Sequence, residues 1–244
     1  MGRKFEVRKE SMQKSGLRKS KLYARYGKEI YMCAKQGGSN PESNLALKHL
    51  IERAKKEEVP VDIIDRNIKK ADSADAQDYN PVRYEGFGPG GSAFLIDTLT
   101  DNVNRTVSEV RHCFTKIDAK LGVKGSVEHM FAHLSRLEVA DAGEEALLEA
   151  LLEANVEVTD IEPTNESYIV IADGYDLDRI ETIFRNRGFE VVASESGWFA
   201  HNMVTLDEET LAVVHDLLTM LNDLDDVQAV YHNVVFDTDE TTDA

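Results

Sequence analysis

The chain has 244 residues, 42% of them hydrophobic, and a formal net charge of -17. That length predicts two or three domains, and no apolar run approaches the roughly 20 residues that a membrane span requires. The charge is divided: residues 1–70 hold 18 Lys and Arg against 9 Asp and Glu, and residues 71–244 hold 10 against 36, which predicts a basic end that meets a polyanion and an acidic body that stays soluble.

The opening residues, MGRKFEVRKE, carry no apolar stretch after their charges, which argues against a secretory signal. The two cysteines, Cys33 and Cys113, fit a reducing compartment and no disulfide framework. A soluble cytoplasmic protein without a membrane partner is expected.

Residues 1–20 lack sustained apolar periodicity and are expected to form a flexible basic N-terminus. A helix pattern begins at Lys21, with Leu22, Tyr26, Ile30 and Cys33 on one face. Lys21, Arg25, Lys28 and Lys35 follow a second stripe, offset from the first. GGSNPE (37–42) ends the helix; Asn40 is placed as the next cap and Pro41 at the first helical position. Leu47, Leu50, Ile51 and Ala54 mark a second helix. Val61, Ile64 and Ile68 mark a third after the break at Val59-Pro60. Residues 71–81 read as a linker.

Beyond it strands alternate with helices. Strands are predicted at 93–99, 156–161, 168–172, 189–193 and 227–236. The helices between them carry Val103, Val107, Val110 and Phe114, then 144–154, then Leu177, Ile180, Ile183 and Phe184, then Leu211, Val214, Leu218 and Leu221. The fold class predicted is α+β: a basic three-helix N-terminal domain followed by small α/β sandwiches of the ferredoxin-like, split βαβ kind.

The densest candidate is RYEGFGPGGSAFLIDTLTDNVNRT (83–106), with four glycines and a proline within six positions. Phosphate-cradling loops run from a strand into a helix; GFGPGG runs into a strand, so a Walker or Rossmann loop is excluded. TDNVNRT (100–106) does join a strand to a helix. Asp101 or Asn102 can cap that helix, whose first N–H groups face an anion. Capping alone leaves Asn104, Arg105 and Thr106 unexplained. The candidate nucleic-acid contacts are Lys21, Arg25, Lys28, Lys35, Arg83, Tyr84, Asn102, Asn104, Arg105 and Arg111. Tyr84 is a candidate for stacking on a base, and Phe87 is assigned to core packing. Removing Lys21, Arg25 and Lys28, or Arg105, is expected to weaken binding and spare the fold.

His129 and His133 have i, i+4 spacing without the glutamate of a zinc-protease motif, and ordinary packing is the preferred reading. Cys113 is read as core and Trp198 as packing. No nucleophile elbow, kinase set or Cys-rich metal pattern is present. The expectation is a protein that is not an enzyme, with no metal, no cofactor and no small-molecule substrate.

RYEGFGPGG, TDNVNRT, EVRHCF and GSVEHMF resemble the signature blocks of the YebC-type family, and residues 26–71 resemble its helical domain. The opening differs from the common family start and is closer to the YeeN subgroup. The resemblance implies three domains: a helical one at 21–75, an α/β one from 80–130 plus 204–238, and an α/β one at 131–203 inserted within it, with an acidic tail at 239–244. It also implies a nucleic-acid-binding factor. Ribosomal RNA or the ribosome is the preferred partner, in a translation role that relieves stalling at proline-rich sequences. The alternative is a DNA-binding transcriptional regulator.

Overall fold

The computed structural model describes residues 3–73 and 78–236, with residues 3–17 as backbone only. Part of the expected linker (74–77) and the acidic tail (239–244) lie outside the described residues. No described helix is long and apolar enough to cross a membrane.

Helix α1, Arg3–Gly37, begins well before the predicted start at Lys21. Its first half has one glycine and no proline among strong helix formers such as Arg, Lys, Glu, Met and Gln. Propensity therefore favours helix where no apolar face signals one. The helix ends where Gly38, at φ +94°, turns its N–H back to the Ala34 carbonyl. Helix α2, Leu45–Lys56, is capped by Asn44, whose side chain accepts the Leu47 N–H at 3.1 Å. The predicted cap, Asn40, instead folds a turn by accepting the Glu42 N–H. Asn44 wins because its amide also donates to the Cys33 and Gly38 carbonyls, tying α2 to the end of α1. Helix α3, Val61–Ala71, completes the bundle around Ile30, Ala34, Leu47, Leu50, Ala54, Val59 and Ile64.

The rest of the described chain forms two four-stranded sheets. The first is built from β1 (Asn80–Phe87), β2 (Ala93–Thr100), α4 (Val103–Lys116), β3 (Lys120–Leu121), α7 (Glu208–Asn222) and β8 (Val227–His232). Its strand order is β3-β1-β2-β8. Between β3 and α7 the chain inserts β4 (Phe131–Ala140), α5 (Glu144–Glu153), β5 (Val158–Pro163), β6 (Ser167–Asp173), α6 (Leu177–Arg187) and β7 (Glu190–Ala200). These give the order β5-β6-β4-β7, with antiparallel neighbours and a helix after the first and third strands. This is the split βαβ, ferredoxin-like arrangement. Leu137, Val139, Leu147, Leu151, Val170, Ile180 and Phe184 fill the core of the inserted part.

By compactness the described chain divides into two units. One holds the residues up to 82 with 97–107 and 221–228; the other holds 83–96, 108–220 and the residues from 229 on. The segments 97–107 and 221–228, which hold the end of β2, the start of α4, the end of α7 and the start of β8, thus group with the helical bundle.

The glycine-rich stretch is the connection of a β1–β2 hairpin, and its residues serve the fold. Gly90 and Gly91 take φ +65° and +81°, angles that side chains disfavour. A Cβ on Gly86 would overlap the Phe114 ring, so the missing side chain lets α4 lie close to β1. Beside it Glu85, 2% exposed, accepts N–H groups from Gly125 and Val127 at 2.6 Å and from Glu128 at 2.9 Å. Burial pushes this carboxyl up, but the three hydrogen bonds and the Arg83 charge outweigh it and hold it below its ordinary value. Glu85→Ala strands three donors and is expected to destabilise the protein by about 2–4 kcal/mol, read as a lower urea midpoint at unchanged slope.

Candidate nucleic-acid interface

Within the first unit, the turn between β2 and α4 is organised by Asn102. It accepts the Arg105 N–H at 3.1 Å, and its own N–H donates to Thr100 Oγ1 at 2.9 Å. Asn102 is therefore the cap, and Asp101 is free to pair with Arg105 at 2.8 Å.

The centre of the turn is a residue that the sequence reading passed over. Asp226, 4% exposed, receives Lys28 Nζ on Oδ1 at 2.9 Å and Arg105 on Oδ2 at 2.5 Å. The Thr100 and Thr106 hydroxyls stand 3.0 and 2.8 Å from the same Oδ2. The Lys28 ammonium also donates to the Leu99 and Asp225 carbonyls, and the Asp226 carbonyl accepts the Leu99 N–H. Burial pushes the Asp226 carboxyl up; the hydrogen bonds from Arg105, Lys28 and Thr106, with the Lys28 charge, overcome it and hold the group far below the ordinary carboxylate range. The same contacts, to Asp226 first and Asp101 second, push the Arg105 guanidinium further up.

The predicted basic stripe meets this acidic segment. Lys21 pairs with Asp223, and Arg25 donates to the Asn222 carbonyl and side-chain oxygen at 3.2 and 3.0 Å. Lys35 pairs with Asp78 at 2.6 Å. Four stripe cations thus have partners within their own chain, and Lys28 is less exposed than Lys21 and Lys35. The expectation that removing Lys21, Arg25 and Lys28 spares the fold is corrected: an i, i+4 reading shows the shared helix face but not the chain segment that lies on it. The parallel expectation for Arg105 is corrected too. Arg105→Ala should lower stability by about 1–2 kcal/mol, since Arg105 is partly exposed and solvent screens its pairs. Equal melting temperatures for Arg105→Ala and wild type would contradict this.

The second unit holds other candidates. Tyr84 is buried, while Phe87, the last residue of β1, is half exposed. The expected roles of these two aromatics are therefore exchanged by the pleat, which turns Tyr84 inward. The Arg83 guanidinium lies 4.1 Å over the Trp198 ring and 3.6 Å from Glu128. Trp198 pairs across strands with His133, which lies in β4, whereas His129 lies in a short turn, Glu128–Met130. The helical spacing that brought the two histidines into consideration does not exist. Asn104 and Arg111 are exposed on α4.

The sequence reading also missed Lys55 and Lys56 at the end of α2 and Arg66 and Lys69 on α3. All four are exposed, and their side chains have no ion pair or hydrogen bond among the described residues. Their signal is present in the surplus of positive charge within the first 70 residues, where no helical stripe sets them apart.

A family model described as the TACO1/YebC protein N-terminal domain matches residues 3–74, and one described as the TACO1/YebC second and third domain matches residues 79–234. The chain belongs to the TACO1/YebC family. Among its TACO1/YebC relatives is a protein of Alteromonas mediterranea, 45% identical over 96% of this chain and 99% of its own. Another, from Chromohalobacter salexigens, is 47% identical over 96% of this chain and 98% of its own. Both are named probable transcriptional regulatory proteins. The crystal structure of a conserved hypothetical protein from Aquifex aeolicus is similar at TM-score 0.71 and 37% identity, covering 88% of this chain and 90% of that one.

Proposed function

We propose that this protein is a regulatory factor that binds nucleic acid without catalysing a reaction, and that RNA on the ribosome is its target. The observation that carries the reading is the set of exposed cations Lys55, Lys56, Arg66 and Lys69, which have no partner among the described residues of a chain whose net charge is -17. Cations without internal partners are free to replace the counterions of a phosphate backbone. The paired stripe of α1 instead shapes the unit that presents them. The acidic remainder limits non-specific adhesion to nucleic acid and favours contact at the basic end. The family resemblance supports a translation role, assisting synthesis through proline-rich sequences.

The relatives' name, probable transcriptional regulatory protein, favours a second reading in which the polyanion is promoter DNA. The two separate in one experiment. On the ribosome reading, the tagged protein co-sediments with ribosomes at physiological salt, and its deletion slows synthesis of proline-run reporters while their mRNA is unchanged. Altered mRNA with unchanged ribosome occupancy at the proline runs would establish the DNA reading instead.

A further inference from the structure

Helix α5, EEALLEALLE, carries two apolar stripes. Leu147, Ala150 and Leu151 are buried in the core of the inserted part. Leu148 and Leu152, one turn apart, are not among the residues of that core or those packed against it; Leu148 is partly buried and Leu152 is 69% exposed. Burial in the core therefore does not account for leucine at position 152.

Glutamates border this stripe. Glu145, Glu149 and Glu153 recur every four residues, a spacing at which like charges disfavour the helix. Glu145 lies in the first turn, where the helix dipole favours a carboxylate. Glu153 is paired with Arg187 of α6. Glu149 has neither role among the described residues, and Glu157 extends the acidic border beyond the helix. Leu148 and Leu152 line two adjoining shallow grooves, one walled by these α5 glutamates and the other by Asn155, Val156, Glu157 and Val158.

We infer that this face docks a basic amphipathic helix of a partner protein. Leu148 and Leu152 receive its apolar side chains, and Glu145, Glu149 and Glu157 receive its lysines or arginines. Laying an amphipathic helix into an apolar groove is a common mode of protein recognition, with anchors at i and i+4. Charge complementarity selects the occupant. A nucleic acid or an anionic membrane is repelled by the carboxylates. A second copy docking through the same face would set glutamate against glutamate, because an isologous contact repeats one surface on both sides. The inference concerns a different surface from the cations of α2 and α3 and stands independently of the proposed function.

The test uses the full chain and a labelled helical peptide of leucine and lysine, with a scrambled peptide of the same composition as control. Fluorescence anisotropy should show the amphipathic peptide binding about tenfold tighter than the scramble. Leu152→Ser, which changes no charge and no buried contact, should remove most of that preference at an unchanged circular dichroism spectrum. Glu149→Gln should weaken both peptides and reduce the salt dependence. Equal affinity for the two peptides, or a preference that survives Leu152→Ser, would overturn the inference. Displacement of the peptide by an RNA oligomer from wild type but not from Leu152→Ser would overturn it as well.

Discussion

Asp226→Ala is expected to lower the unfolding free energy by about 2–4 kcal/mol, an effect as large as that expected for Glu85→Ala. The carboxylate is 4% exposed and is the shared acceptor for Lys28, Arg105, Thr100 and Thr106. Removing it leaves the largely buried Lys28 ammonium facing the Leu99 and Asp225 carbonyls and the Tyr79 ring, with no carboxylate to neutralise it. A fully buried pair would be worth more; the exposure of Arg105 brings the figure down. Asp226→Asn should lose less, since its oxygen still accepts from a threonine. A double-mutant cycle of Asp226→Asn with Lys28→Met should show coupling, because the two groups act as one unit. Additive losses would mean that the ion pair contributes nothing beyond its separate parts.

The same carboxylate has a pH signature. Its value in the folded protein is depressed, so the unfolded chain binds the proton more readily. The stabilisation is therefore fully present above the unfolded value of about 3.9 and is lost as the pH falls through the lower folded value. Urea midpoints of wild type and Asp226→Asn should differ at neutral pH and converge in strong acid. A difference that persists at the acid end would place the effect in shape and not in charge.

Changing Lys55, Lys56, Arg66 and Lys69 together to alanine should have the largest effect on binding. If each meets a phosphate, the slope of log affinity against log salt falls by about 0.7–0.9 per contact, or about 3 in all. Stability should be nearly unchanged, because the four side chains are exposed and have no partner among the described residues. The Lys21, Arg25 and Lys28 variant should show the converse, a lower melting temperature with a smaller change in slope. An unchanged slope in the four-cation variant would remove the observation on which the proposed function rests.

The helix faces of α2, α6 and α7, and those of α3 and α4 apart from the exposed Val61 and Val103 that open them, were legible because the 3.6-residue period is imposed locally by the backbone. The strands at β2, β6 and β8 were legible from apolar runs between breakers. Strands β1 and β4 were not. In β1, Glu85 and Gly86 sit at buried positions, one satisfied by three amides and the other by the Phe114 ring, so no apolar alternation marks the strand. The start of α1 was missed because propensity alone, without an apolar face, supports its first half.

The sequence by itself determined the α+β class, the basic first third and the polar turn before α4, since each is written in local periodicity, local charge or local capping chemistry. Only the tertiary structure decided what those residues face. Lys28 and Asp226 lie 198 positions apart, and nothing in the neighbourhood of either names the other. Charge pairing is decided by which segments the topology brings within a few ångströms, where a carboxylate out of water must find its donors. That is why four cations read as a surface for phosphate proved to be paired, while those on α2 and α3 have no partner among the described residues.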